Sequence, residues 1–119
     1  MGEGKSILRA ALGHPEDKEP LEISKRWGTI KMRIPGSSEY RQWLNNHGDE
    51  VKKEEIDDAQ FVAMVLRDFS DVGDFNNAEI EELGKEIEKD FTMREQQNVI
   101  NWFWSKGPKV DERNFQTTK

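Results

Sequence analysis

The chain has 119 residues, of which 34% are hydrophobic and 35% charged, and its net charge at pH 7 is −6. This length suits one domain with one core, and the absence of cysteine excludes disulfides and thiolate zinc sites. No apolar run approaches the roughly 20 residues of a membrane-spanning helix, and no signal peptide pattern is present, so a soluble, unexported protein is expected.

The negative charge is concentrated in the second half of the chain. Residues 1–56 carry ten basic and ten acidic side chains, whereas residues 57–119 carry eight basic and fourteen acidic ones. An acidic surface repels phosphate backbones, so nucleic acid is not expected as a partner, and no membrane association is expected either. The charge distribution favours a basic or apolar protein surface as the partner.

The first half of the chain predicts a short helix, a hairpin and a longer helix. The short helix covers residues 5–12. Apolar residues then alternate with polar ones on both sides of Gly28, which predicts a β-hairpin over residues 21–34. Ser37 can cap the next helix, which is expected to end near Gly48. Its apolar stripe contains Tyr40, Trp43 and Leu44.

A solvated connector over residues 49–58 is expected to lead into the most apolar helix, which starts at Asp57. That helix has almost no polar side, as is typical of a central helix covered by others. Its apolar residues are Ala59, Phe61, Val62, Ala63, Met64, Val65, Leu66 and Phe69.

The following helix is predicted to begin at Asn76, with Glu79 as the reciprocal capping partner. Its single apolar stripe consists of Ile80, Leu83, Gly84 and Ile87. A glycine inside a helix costs about 1 kcal/mol relative to alanine, so Gly84 indicates a close approach of another helix.

Thr92 and Glu95 form a capping box that opens the last helix, and the Gly-Pro pair at 107–108 ends it. Residues 1–108 are therefore interpreted as one domain, and residues 109–119 as a polar, mobile tail. The predicted fold is α+β and mainly α, with one N-terminal β-hairpin packed against about four helices.

The last helix contains three consecutive aromatic residues that cannot all face one core, because successive helical residues point about 100° apart. A helical wheel places Phe103 and Trp104 in a broad apolar arc with Met93 and Ile100, and places Trp102 among polar residues. Two interpretations of Trp102 stay open. It either packs under the hairpin or the C-terminal tail, or it is an exposed anchor for a partner.

The loop over residues 68–79 is the best candidate for a metal site. Aligned with a calcium-binding EF-hand loop, Asp68 falls at position one, Ser70 at position three and Glu79 at position twelve. Position five is Val72, which offers no side-chain oxygen. The loop is interpreted as a helix connector, with a calcium-responsive regulatory or adaptor module as the alternative function.

No catalytic site is predicted. The two histidines, His14 and His47, fall in separate predicted loops without a neighbouring nucleophile. The segment GEGKS, residues 2–6, lacks most of a phosphate-binding loop, so no cofactor is expected. Glu81 and Glu82 are interpreted as part of a solvated helix face. Together with Trp102 and Trp104, they are the candidate partner-binding residues.

In the order of its elements the chain resembles the tail assembly chaperones of tailed bacteriophages. The resemblance covers roughly residues 5–105 and depends on a hairpin with a Trp-Gly turn, a helix that opens after Pro-Gly, and an apolar helix that leads through an acidic loop into another helix. The corresponding segments are ISKRWGTIKMRI, PGSSEYRQW and FVAMVLRDFSDVGDFNNAEIEELGKEI.

The resemblance implies a non-enzymatic protein in the cytoplasm of an infected bacterium. Members of this family bind the tape measure protein and the tail tube subunits and are absent from the mature virion. The polar C-terminus would match the shorter, non-frameshifted product of such a gene. A tape measure protein is a long helical chain, and an apolar groove with a charged rim would suit its helices. Self-association is left open.

Overall fold

A computed structural model describes residues 7–12, 17–52 and 56–107. The described part of the chain is mainly helical with one two-stranded antiparallel sheet, so the predicted α+β class is confirmed. GEGKS, His14 and the predicted tail at 109–119 lie outside the described residues. The elements are α1 (Ile7–Leu12), β1 (Lys18–Ser24), β2 (Gly28–Arg33), α2 (Ser37–Lys52), α3 (Asp58–Phe69), α4 (Gly73–Asn76), α5 (Ile80–Asp90) and α6 (Met93–Ser105).

The predicted hairpin is confirmed, although it starts three residues earlier than expected. Leu21 pairs with Ile30 across the two strands, and Gly28 closes the turn with a φ of 87°. That left-handed backbone is rarely open to a residue with a Cβ, which explains the glycine. Beyond α3, the Asp71 backbone N–H donates to the Lys31 carbonyl at 2.8 Å, which fastens the hairpin to the helices.

Helix α3 is the central helix, as predicted. All eight of its apolar residues are buried, and it packs against both α5 and α6. The Asp57 carboxylate caps it by accepting a hydrogen bond of 2.8 Å from the Gln60 backbone N–H. Helix α5 approaches closely at Gly84, where a Cβ would lie 3.4 Å from the Gln60 Cα. The expectation of a close approach at Gly84 is confirmed.

The aromatic side chains of three helices meet around Phe103, which is fully buried. The Phe103 ring lies 4.7–5.7 Å, between centroids, from four other buried rings. These contacts hold α2 against α3 and α6, because the rings come from all three helices. The four residues are Tyr40, Trp43, Phe61 and Phe69.

Two predicted helix boundaries are wrong. Helix α2 continues through Gly48 to Lys52, so the predicted connector begins too early and His47 lies in a helix instead of a loop. A single glycine costs only about 1 kcal/mol in a helix, which the buried Tyr40 and Trp43 offset by anchoring α2.

The second wrong boundary is the start of α5. Asn76 ends the short helix α4, and α5 begins at Ile80 after Glu79, whose side chain makes no capping hydrogen bond. The Asn76 amide instead donates to the carbonyls of Arg67 at 2.8 Å and Ser70 at 3.1 Å. It satisfies backbone acceptors at the end of α3, where the helix leaves carbonyls without partners.

Candidate partner-binding groove

Helix α6 presents two opposite faces. The hairpin face, formed by Glu95, Asn98 and Trp102, points toward β1 and the turn of the hairpin. The groove face, formed by Gln96, Ile100 and Trp104, points toward a surface groove beside α3. Asn98 and Ile100 are two positions apart, and each position turns the side chain by about 100° around the helix. The two faces therefore point in nearly opposite directions.

Trp102 lies on the hairpin face and is only 8% exposed. Its indole Nε1–H donates to the Glu19 carboxylate at 2.8 Å, and the Lys106 ammonium lies 5.3 Å from the ring centroid. The ion pair with Lys106 lowers the pKa of Glu19. Of the two interpretations of Trp102, packing under the hairpin is confirmed and the exposed anchor is wrong, because the hairpin supplies both cover and an acceptor.

A buried carboxylate fastens the hairpin turn to α6. The Arg26 guanidinium donates to both Glu95 oxygens, at 2.7 Å and 2.9 Å, and to the Asp90 carbonyl at 2.6 Å. Glu95 also completes the predicted capping box with Thr92, which is confirmed. The hydrogen bonds from Arg26 lower the pKa of Glu95 far below its ordinary value, although burial opposes this. The Arg26–Glu95 pair could not be predicted from the sequence, because 69 positions separate the two residues.

The groove face lines an open groove of about 740 Å³ between the start of α3, the end of α5 and α6. Trp104 stacks on Phe61 with ring centroids 5.8 Å apart and is still 44% exposed, while Met93 is 80% exposed. The apolar lining of the groove comprises Ile56, Ala59, Phe61, Phe91, Met93, Ile100 and Trp104. Exposed apolar surface of this kind is a feature of protein-binding sites.

The rim of the groove is acidic. Among the residues that the structure describes, its lining includes Asp57, Asp58 and Glu88 and no lysine or arginine. A smaller depression next to it shares Asp57 and Glu88 and adds Glu81, together with one basic residue, Lys85. A lining that combines apolar side chains with three carboxylates favours a partner with apolar side chains flanked by positive charge.

The candidate partner-binding residues therefore divide into two pairs. Trp104 lines the groove and Glu81 lies in the adjoining depression. Trp102 is buried on the opposite face of α6, and Glu82 is exposed but lines neither concavity. Ile100 is buried in the core, as the helical wheel predicted, whereas Met93 is 80% exposed, because a wheel gives direction and not the extent of neighbouring elements.

The structure does not bring together the three candidate ligands of the loop over residues 68–79. The Asp68 carboxylate accepts hydrogen bonds from the Trp43 Nε1 and the Arg67 Nε, both at 2.8 Å. Burial raises the pKa of Asp68, but these hydrogen bonds outweigh it, and the pKa lies below its ordinary value. Ser70 is buried beside β2 and Glu79 is exposed at the start of α5, so the three do not converge. Within the described residues no group of three or more acidic or histidine side chains could hold a metal ion.

Comparisons with protein-family models, with curated proteins and with solved structures find no match to this chain. Among the described helices, none is long and apolar enough to cross a membrane. The contacts, exposure and charge of the groove are therefore the features that point to a function.

Proposed function

We propose that this protein is a tail assembly chaperone of a tailed bacteriophage. In this role it binds apolar helical segments of the tape measure protein, and the tail tube subunits, in the cytoplasm of the infected host before the tail is complete. It works by binding and carries out no chemical reaction. The observation that carries the proposal is the acidic-rimmed apolar groove between α3, α5 and α6.

The groove has the features that helix-in-groove recognition requires. An amphipathic helix binds through a row of apolar anchors spaced three or four residues apart, which enter a hydrophobic groove. Here Met93 and Trp104 offer exposed apolar surface along the same side of α6. Trp104 is already held against Phe61, so less conformational freedom is lost when a partner covers it.

The charge of the rim adds selectivity. Asp57, Asp58 and Glu88 are among the lining residues, and a helix that places lysine or arginine beside its apolar stripe would pair with them. Such pairs at the rim chiefly raise the association rate and exclude acidic competitors. We therefore expect the bound tape measure segments to be amphipathic and basic.

The direct test is binding between this protein and the tape measure protein encoded in the same genome. Co-expression should raise the soluble yield of the tape measure protein, and calorimetric titration should locate the helical segments that bind. Trp104→Ala should weaken binding by about 2 kcal/mol, roughly 30-fold, if Trp104 is an interface hot spot.

Ile34→Ala is the matched control, because Ile34 is an exposed apolar residue directly after β2 and does not line the groove. Its affinity for the tape measure protein should equal that of the wild-type chain. Equal losses for Trp104→Ala and Ile34→Ala would show that the groove is not the binding site. An absence of binding to any tape measure segment would overturn the proposed function.

A further inference from the structure

Met93 is an exposed methionine on the lining of the groove. Its side chain is 80% exposed at the start of α6, and it lines the groove together with Phe91 and Trp104. The other two methionines that the structure describes lie in the core, Met32 at 0% and Met64 at 4% exposure. Within the described residues, Met93 is therefore the one methionine whose side chain a dissolved reagent can reach without any unfolding.

The exposure of Met93 is a property of the folded helix and not of a frayed helix end. The Thr92 backbone N–H donates to the Glu95 carboxylate at 2.8 Å, and the Glu95 backbone N–H donates to the Thr92 hydroxyl at 3.1 Å. The Arg26 guanidinium holds the same carboxylate from the hairpin. Because Met93 lies between Thr92 and Glu95, its position at the first turn of α6 is fixed and its thioether is presented beside the groove.

An exposed thioether reacts with peroxides. The sulfur lone pair attacks one oxygen of hydrogen peroxide, so an S–O bond forms while the O–O bond breaks. The second oxygen leaves as hydroxide and takes the proton of the first, which gives water. The sulfur is oxidised by two electrons and the peroxide is reduced by two. The product, methionine sulfoxide, is polar, and methionine sulfoxide reductases convert it back to methionine.

We propose that Met93 is a reversible oxidation site of this protein, and that its conversion to the sulfoxide by peroxide lowers the affinity of the groove for apolar segments. The oxidation follows from the exposure of Met93 and the burial of Met32 and Met64. The loss of affinity rests on the proposed function, because it concerns the partner that binds in the groove.

The affinity falls because the sulfoxide needs water. Methionine is flexible and polarisable, which suits a surface that binds several different apolar segments. A sulfoxide oxygen accepts hydrogen bonds, and a partner that covers Met93 would remove the water that donates them. Burying a polar group without a hydrogen bond costs free energy. In the free protein the sulfoxide stays in solvent, so the stability of the fold should not change.

The first test is treatment of the full chain with hydrogen peroxide, followed by digestion with a glutamate-specific protease and mass spectrometry. The peptide of Met93 should gain one oxygen at least about tenfold faster than those of Met32 and Met64, because buried side chains react only when the structure opens. The reductase should remove the added oxygen. Cleavage after glutamate separates the four methionines of the chain into residues 1–3, 23–39, 56–79 and 89–95.

The chain unfolded in urea is the control for intrinsic reactivity, and there the rates of Met32, Met64 and Met93 should converge. Oxidation of Met93 in the folded chain at the rate of Met32 or Met64 would overturn the proposed site. No tape measure protein is present in this measurement, so its result does not depend on the proposed function.

The second test is calorimetric titration of tape measure segments with treated and untreated protein. Peroxide should weaken binding by the wild-type chain about tenfold. Met93→Leu is the matched control, because leucine keeps the apolar volume without the sulfur, and its affinity should be the same before and after treatment. Met93→Gln carries a polar side chain of similar length and should bind weakly without peroxide. The urea midpoint should be unchanged in both variants.

Two outcomes of the titration are distinguishable. A protein whose mass confirms the sulfoxide at Met93, and which binds as tightly as the untreated chain, would overturn the effect of oxidation on the groove. An untreated chain that binds no tape measure segment would overturn the proposed function, whereas the oxygen uptake at Met93 would still decide whether that residue is the oxidation site.

Discussion

The two faces of α6 differ in how their side chains are satisfied. On the hairpin face, Glu95, Asn98 and Trp102 each have a hydrogen-bond partner in the hairpin. On the groove face, Ile100 and Trp104 lie beside an open groove that no described element fills. The hairpin face has the more polar sequence, yet it is the face that is covered. On the groove face, the apolar side chain of Trp104 is exposed.

This difference shows that a polar stripe on a helix does not by itself mean contact with water. Buried polar groups are tolerated when partners of suitable geometry are supplied, and the hairpin supplies Arg26, Glu19 and the Ile23 carbonyl. The three consecutive aromatics of α6 therefore have three environments. Phe103 is in the core, Trp102 is under the hairpin, and Trp104 is at the groove.

The largest expected effect concerns the residue between the two faces. Phe103→Ala should lower the free energy of unfolding by about 3–5 kcal/mol, because it removes a fully buried ring and leaves a cavity among four others. Urea denaturation would measure it. A loss below about 1 kcal/mol would mean that Phe103 does not join α2, α3 and α6.

The next largest loss of stability is expected for substitutions of Trp102, which the hairpin covers. Trp102→Ala should cost about 3 kcal/mol, and Trp102→Phe about 1 kcal/mol, because phenylalanine keeps much of the packing but cannot donate to Glu19. Thermal or chemical denaturation of the two variants would give both values. If Trp102→Ala proved as mild as a surface substitution, the two faces of α6 would not differ as described.

A pH titration of stability tests the buried carboxylate on the same face. Because the pKa of Glu95 is lowered in the folded protein, the stabilisation from its pair with Arg26 is complete above the ordinary glutamate pKa of about 4.3. It is lost as the pH falls from there toward the lowered value. Glu95→Gln should therefore show a smaller loss of stability below about pH 5 than the wild-type chain.

Glu39→Gln is the matched control for this titration. Glu39 pairs with Arg33 on the surface, where both side chains are more than 40% exposed, and such pairs contribute little. Its stability profile in acid should follow that of the wild-type chain. Identical profiles for Glu95→Gln and the wild-type chain would show that the ionisation of Glu95 does not contribute to the pH dependence of stability.

The smallest effects on stability are expected on the groove face. Trp104→Ala should cost about 1 kcal/mol, the energy of its contact with the Phe61 ring, and Met93→Glu should stay within about 0.5 kcal/mol. The same urea titrations would measure both variants. A loss for Trp104→Ala as large as that for Trp102→Ala would place both tryptophans in the core.

Much of the fold could be predicted because it depends on local chemistry. The carboxylate of Asp57 caps the nearest free N–H groups of α3, and Thr92 does the same for α6 with Glu95 three residues later. The apolar residues of α3 follow no single stripe, so the helix had to be covered on all sides. A glycine in the α5 stripe predicted the contact with Gln60.

The local rules failed where two local signals competed. Asn76 followed by Glu79 resembles a capping box, but the Asn76 amide binds carbonyls at the end of α3, and α5 starts later. Gly48 resembles a helix end, but the buried side chains of α2 hold the helix through it. In both cases contacts with other parts of the fold outweighed a preference of about 1 kcal/mol.

The sequence by itself determined most of the elements, their apolar stripes and the acidic character of the second half, because periodicity, capping and charge are properties of neighbouring residues. Only the tertiary structure decided which of Trp102 and Trp104 is covered. The hairpin reaches across α6 to bury Trp102, while α3 starts near Trp104 and leaves its outer edge open. The physical reason is that a helical pattern fixes the direction of a side chain, whereas its burial depends on how far distant segments extend over it.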